Sequence, residues 1–214
     1  GGNLSATTDA NNGAISLGTL AVDGTIALTT NGNGAATIEN DDGIEFAAST
    51  VRGALTATAD GAVTQSGALT ITGVTTIVAG SSNHITLNNT SNDFQDDVRI
   101  TSGNNVTLVD TNAIVLGTST VSGTYAVTAG GNITDTGVLA ITGAATFTTV
   151  NSRSIILNES STFSSEVTFA ASSGTIASVT INDSDAFDLK ALTITGNLTV
   201  TAGGDITDSG TVSV

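Results

Sequence analysis

The chain has 214 residues, of which 19 are acidic and only four are basic, and it contains no Pro, Cys, Met or Trp. Four basic residues give no electrostatic footprint for nucleic acid, and the net charge of -15 repels anionic lipid, so we expect neither nucleic-acid binding nor membrane insertion. Without Cys there is no disulfide and no thiolate metal site, and no apolar run approaches the ~20 residues that span a bilayer.

Short segments of alternating apolar and polar residues follow one another along the chain. In the segment at 55–59, for example, Leu55, Ala57 and Ala59 alternate with threonines. A period of two predicts strands with one buried face, and Gly-containing turns such as Asp60-Gly61 separate them. Such segments begin at Ile15, Ile26, Leu55, Val63, Leu69, Ile85, Val98, Val106, Ile114, Tyr125, Ile133, Leu139, Val167, Phe187, Leu198, Ile206 and Val212. No stretch has a sustained helical period, so the prediction is an all-β fold.

The chain also repeats itself at a period near 71 residues. One block reads GALTATADGAVTQSGALTITG at 53–73 and recurs at 123–143 and 196–214; a second, at 38–51, recurs at 108–121 and 181–194. This places three repeats at about 2–72, 73–142 and 143–214, forming one continuous domain. The end of the third repeat is in phase with Gly1, and with no Met present we expect three whole repeats taken from something longer.

The length of the repeat predicts a right-handed parallel β-helix. Three short strands with their turns make roughly 23 residues, so three coils fill one repeat and nine coils make a rod of about 40–45 Å. A string of antiparallel β-sandwiches is the alternative architecture. The short sub-period and the absence of Pro, which cannot donate to a backbone ladder, favour the solenoid.

The blocks GNLTVTAGGDITDSGTVSV at 196–214 and SNDFQDDVRITSGNNVTLVDTNAIVLGTSTVSG at 91–123 resemble repeats of large bacterial exoproteins of the filamentous-haemagglutinin type. The resemblance covers essentially the whole chain. It implies a secreted, cell-surface or matrix β-helix rod that serves in adhesion, in biofilm or in building filaments.

Acidic and Asn residues recur at two turn positions, as Asn40 with Asp42, Asp110 with Asn112, and Asp183 with Asp185. Two interpretations remain open. Stacked carboxylates could bind Ca²⁺ at Asp42, Asp110, Asp183 and Asp185, or the side chains could cap turns through the backbone. No calcium-repeat motif is present, so capping is favoured and no other cofactor is expected. The single His84 has no other His or Cys as a metal partner.

Three classes of function are compatible with these features. The first is a structural protomer of an extracellular fibre, which associates with itself end to end and also laterally. The second is an adhesin module that binds a glycan or a receptor, for which residues 170–178 are the one candidate insertion. The third, a polysaccharide-degrading β-helix enzyme, is disfavoured because basic and aromatic residues are few and the acidic turns are repeated. We therefore expect a non-enzymatic protein.

Overall fold

The computed structural model describes residues 1–214 and consists of 28 short β-strands joined by turns, with no α-helix and hence none that could cross a membrane. The strands are β1 (Leu4–Thr7), β2 (Ile15–Leu20), β3 (Thr25–Thr29), β4 (Ala36–Asn40), β5 (Ile44–Phe46), β6 (Ser49–Val51), β7 (Leu55–Ala59), β8 (Val63–Gln65), β9 (Leu69–Ile71), β10 (Thr75–Val78), β11 (Ile85–Leu87), β12 (Asp93–Phe94), β13 (Val98–Ser102), β14 (Val106–Asp110), β15 (Ile114–Leu116), β16 (Ser119–Val121), β17 (Tyr125–Ala129), β18 (Ile133–Asp135), β19 (Leu139–Ile141), β20 (Ala145–Thr149), β21 (Ile155–Phe163), β22 (Val167–Ala171), β23 (Val179–Asp183), β24 (Phe187–Leu189), β25 (Leu192–Thr193), β26 (Leu198–Ala202), β27 (Ile206–Asp208) and β28 (Val212–Ser213).

One coil of the protein is built from one long strand and two short ones. In β7 the apolar positions Leu55, Ala57 and Ala59 point inward, and the short strands β8 and β9 follow on the other side of the core. The bend between the two short strands needs Gly67, because a Cβ there would collide with the backbone nitrogen of Ala48 in the coil below. We call this arrangement of long, short and short strands a regular coil.

Stacked coils form two main walls of parallel strands. Wall A is the 12-stranded sheet that contains β14, β17, β20 and β22, and wall B is the 12-stranded sheet that contains β4, β7, β10 and β23. The short strands β24, β25, β27 and β28 pair only with one another, as two separate two-stranded sheets. The protein is therefore a parallel β-solenoid, which confirms the predicted fold class.

The coils are shorter than the ~23 residues that the sequence suggested. Paired residues in neighbouring coils are 18 positions apart at the closest, from Val98 to Leu116, and 24 at the widest, from Ile155 to Val179. A coil of about 20 residues gives about ten coils rather than nine. At ~4.8 Å per coil the rod is about 50 Å long.

A repeat contains three and a half coils, not the three that were expected. From Leu55 the strands of wall B continue through Thr75 and Val98 to Leu116, yet Tyr125, the counterpart of Leu55 in the next repeat, lies on wall A. The extra half coil arises where the long strand β13 on wall B is followed directly by the long strand β14 on wall A. Equivalent strands of successive repeats therefore lie on opposite walls.

The interior is one continuous cluster of 45 buried apolar residues, mostly Ile, Leu, Val and Ala. Four aromatic rings gather in its second half, where Phe147 contacts Tyr125, Phe163 and Phe169 at ring-centre distances of 6.1 to 6.2 Å. The narrow space between two walls explains why the sequence uses few large rings elsewhere.

Candidate functional site

Each half coil creates a place where a long strand is covered by the two short strands of the next coil. We call these places the first, second and third junctions; their long strands are β3, β13 and β22. A straight strand cannot pair along its whole length with two strands that bend away from each other. The backbone hydrogen bonds between the two coils are therefore interrupted at each junction. At the first junction the Ser49 hydroxyl fills the break by accepting a hydrogen bond from the Leu28 N–H at 3.0 Å.

The second junction is closed in the same way. Ser119 accepts from the Ile100 N–H at 3.1 Å and donates to the Gly117 carbonyl at 2.9 Å. The Gly117 N–H in turn donates to the Val98 carbonyl at 2.9 Å, so the two coils remain connected. Ser119 is 1% exposed, which shows that this bridging hydroxyl lies inside the fold.

The third junction lacks this serine bridge, although its coils still pair beyond β22, where the Thr195 N–H donates to the Ile176 carbonyl at 3.1 Å. Aligning 181–194 with 108–121 puts Leu192 at the position of Ser119 and Lys190 at the position of Gly117. Leucine offers no hydroxyl to the strand below, and no strand pairs with β22 on the side that faces β24. The chain is also longer here, because Val167 to Val179 is twelve residues whereas Val98 to Val106 is eight.

A cleft of about 310 Å³ lies between neighbouring coils beside the first junction, at Asp23 and Glu45. The corresponding cleft beside the third junction has a volume of about 220 Å³. Its apolar side contains Phe163, Val167 and Phe187, and its polar residues are Ser164, Ser165, Glu166, Asp183, Asp188 and Lys190, with Ala186 completing the lining. The Lys190 ammonium lies 2.8 Å from an Asp188 oxygen, and this ion pair lowers the pKa of Asp188 and raises that of Lys190. The cleft thus contains both hydrogen-bond donors and acceptors.

Asp183 is the buried carboxylate of the cleft and is only 1% exposed. Its Oδ1 accepts hydrogen bonds from the backbone N–H groups of Asp185 at 3.2 Å and Phe163 at 3.4 Å. Its Oδ2 is buried and has no hydrogen-bond partner in the chain. Burial raises the pKa of Asp183, against the opposing effect of the two backbone bonds.

The acidic and Asn residues that recur in the sequence at this position cap the backbone. Asp110 accepts from Phe94 N–H at 2.8 Å and from Asn112 N–H at 2.7 Å, while Asn40 accepts from Val22 N–H at 2.9 Å. Burial and, to a smaller extent, the nearby Asp93 raise the pKa of Asp110 to about 6, against the lowering effect of the two backbone bonds. These side chains, at the ends of long strands, accept hydrogen bonds from backbone N–H groups where the neighbouring coil offers no backbone carbonyl.

The calcium candidates do not converge on one place. Asp42 lies in a turn of the first repeat, where its Oδ1 accepts from the Gly43 N–H at 2.8 Å, and Asp110 lies in the second repeat on the opposite wall. Asp183 and Asp185 are neighbours in the third repeat. The structure contains no group of three or more His, Asp or Glu side chains arranged to hold a metal ion. His84 is exposed, and its backbone carbonyl accepts from Val63.

Sequence reasoning did not identify the cleft, although it singled out the adjoining residues 170–178 as the one atypical stretch. The signal was present in the aligned blocks, because Ser49 and Ser119 agree whereas Leu192 departs from them. This difference becomes informative only once the half coil is known, because the half coil places Ser49, Ser119 and Leu192 where the backbone hydrogen bonds between two coils are interrupted.

Comparison with known proteins identifies a family and no described function. A family model described as "Repeats of unknown function (DUF5649)" matches residues 33–101, 103–170 and 176–214. No curated protein and no solved structure matches the chain. Each matched range begins just before the first regular coil of a repeat, at β4, β14 and β23, so the family's repeat corresponds to the unit of three and a half coils. Because the matches cover most of the sequence, the chain belongs to this family of repeats of unknown function.

Proposed function

We propose that the chain is a non-enzymatic segment of an extracellular rod, which extends into filaments when further coils are added at its ends. The observation that carries this proposal is the exposure of apolar side chains on the last coil. Ile206 and Val214 are 52% and 70% exposed, although their counterparts in inner coils are buried in the core. A further coil would cover these apolar side chains and pair with β26, whether it comes from the same chain or from another copy.

The resemblance of residues 91–123 and 196–214 to repeats of large bacterial exoproteins supports the location outside the cell and the rod-like role. The acidic surface is consistent with this, because like-charged rods repel one another sideways at neutral pH. Growth along the axis depends instead on backbone pairing and apolar contact, which this repulsion weakens less.

The half coil in each repeat sets the geometry of stacking between copies. Strand β1 has the place in the repeat that β10 and β20 have, and each of these lies on the long strand of the coil before it. The long strand β26 of the last coil is on wall B, whereas β1 is on wall A. A second copy therefore fits on the first after a half-turn rotation about the rod axis.

Electron microscopy of the purified 214-residue chain at high concentration tests this proposal. The expected result is filaments one solenoid wide, with an axial step of about 50 Å and a half-turn between steps. Ile206→Asp should prevent their formation, because it puts a charge on a surface that stacking would bury but that is already exposed in the single chain.

The matched control is Thr201→Asp, which adds the same charge at an outward-facing position of the same end coil. This variant should still form filaments. Filaments that are equally abundant with Ile206→Asp, or a wild-type chain that stays monomeric by sedimentation at every concentration, would contradict end-to-end growth.

A further inference from the structure

The last coil has an acidic side chain whose counterpart in an inner coil reaches into the coil that follows. Asp208, at the end of β27, aligns with Asp135, at the end of β18. Asp135 is only 7% exposed, and its two oxygens accept hydrogen bonds from the backbone N–H groups of Asn158 at 2.9 Å and Glu159 at 3.3 Å. Both donors belong to β21 in the next coil, so Asp135 links two coils through a side chain.

The first repeat makes the same link with an amide. Gln65, at the end of β8, aligns with Asp135, and its Oε1 accepts from the Asn89 N–H of the next coil at 3.3 Å. Asn89 lies between the two short strands β11 and β12, where that coil bends. In both inner repeats the residue that ends the first short strand therefore caps backbone groups of the coil stacked on it.

Asp208 has no coil to cap. Its strand β27 pairs with β24 of the preceding coil and with no other strand, and its side chain is exposed. The last coil therefore presents a hydrogen-bond acceptor in the position that Gln65 and Asp135 occupy, next to the exposed apolar side chain of Ile206.

The matching donors lie at the opposite end of the rod. Leu17 of β2 pairs with β4 as Leu157 of β21 pairs with β23, and in both strands the register shifts directly after this leucine. The next two residues, Gly18 and Thr19, therefore have the places of the two residues whose N–H groups Asp135 caps. Gly18 and Thr19 are exposed, and β2 is the edge strand of wall B, with no coil below it.

We propose that Asp208 caps the Gly18 and Thr19 N–H groups of a second copy stacked on the last coil. The joint between two copies then repeats the contact that Asp135 makes within one chain. This inference rests on the end-to-end growth proposed above, and it adds the residues by which one copy recognises the next. Any strand edge offers backbone pairing, whereas a carboxylate that accepts two N–H groups at a bend also fixes the register.

Sedimentation velocity of the 214-residue chain and its variants measures the strength of this joint. Asp208→Ala should weaken association at least fivefold, because the Gly18 and Thr19 N–H groups would be buried without an acceptor. Asp208→Gln should associate within twofold of the wild type, since Gln65 provides the same kind of cap in the first repeat.

The matched control is Glu45→Ala, which removes the same charge at an exposed position of an inner strand. Removing a negative charge from an acidic chain reduces the repulsion between copies, so this variant should associate as tightly as the wild type or slightly more tightly. The control thus separates the loss of the cap from the loss of charge, because the two effects have opposite signs.

Amide hydrogen exchange locates the contact. The Gly18 and Thr19 N–H groups should exchange at least tenfold more slowly in the assembled wild-type chain than in the dilute monomer. A wild-type chain that stays monomeric at every concentration would overturn both end-to-end growth and this contact. If the wild type assembles but Asp208→Ala associates as tightly as Glu45→Ala, or if the two amides gain no protection, only the contact is overturned and end-to-end growth stands.

Discussion

The second and third junctions have the same backbone plan but differ in whether the ladder continues across them. At the second junction Ser119 and Gly117 connect two coils that cannot pair fully. The third junction has Leu192 and Lys190 at these positions and no strand pairs with β22 on this side, so its coils pair only beyond β22, at Ile176 and Ile194. Most of a solenoid is held by backbone pairing, which almost any β-forming sequence supports. The two junctions therefore differ in whether a side-chain hydroxyl bridges the gap in the backbone hydrogen bonds at a half coil.

Replacing the bridging serine of the second junction with the leucine of the third should cause the largest loss of stability. Ser119→Leu removes the acceptor of the Ile100 N–H and inserts a larger side chain at a position that is 1% exposed. An unsatisfied buried N–H together with overpacking should lower the free energy of unfolding by about 2–4 kcal/mol. Urea titration followed by circular dichroism measures this change.

Ser119→Ala separates the two causes, because it removes the hydroxyl without adding volume. It should cost about 1–2 kcal/mol. Thr120→Ala, at the exposed neighbouring position, is the surface control and should change stability little. If Ser119→Ala proved as neutral as the surface control, the serine bridge would not be what closes the junction.

Hydrogen exchange compares the junctions without any substitution. The Ile100 and Leu28 N–H groups donate to buried serine oxygens, whereas Phe169, at the equivalent position, lies on β22, which has no paired strand on the side that faces β24. Phe169 should therefore exchange at least tenfold faster than Ile100 in the native state, as NMR can measure. Equal protection of the two amides would mean that the third junction is closed in solution.

Much of this architecture could be predicted from the sequence. The period-two alternation and the Gly-containing turns predicted the all-β fold, because both arise from local geometry. The length of the repeat and the absence of Pro then predicted the parallel solenoid. The half coil could not be predicted in this way. Strands on either wall bury one face and show the same alternation, so Leu55 and Tyr125 look equivalent although they lie on opposite walls. A period of 71 residues also divides into three coils of about 23 as readily as into three and a half of about 20.

The candidate site was harder to predict for a related reason. The recurrence of Asn40, Asp110 and Asp183 was visible, but a recurring carboxylate does not reveal whether it binds a ligand or caps a backbone. Besides a local N–H two residues later, Asp110 and Asp183 each cap a distant N–H in the coil below. These distant partners, Phe94 and Phe163, lie 16 and 20 positions earlier in the chain. Those distances follow from the register, which the repeat length alone does not determine.

The smallest expected change in stability comes from the side chains that cap the ends of β4 and β14. The first repeat has Asn40, which does not titrate, and the second has Asp110, whose pKa burial raises to about 6 from an ordinary value of 3.8. The folded state therefore holds a proton more tightly than the unfolded state, so this group stabilises the fold as the pH falls through 6. Between pH 7 and pH 5 we expect a gain of about 1 kcal/mol from Asp110.

Asp110→Asn makes the second cap resemble the first and removes this titration. Urea titrations of wild type and variant at pH 7, 6 and 5 should show that the wild type gains more stability on acidification, by about 1 kcal/mol. Asp135 and Asp183, whose pKa values burial also raises, contribute equally to both proteins and cancel in the comparison. Parallel pH profiles for the two proteins would show that Asp110 is ionised at pH 5 in the folded chain, and that its backbone caps outweigh its burial.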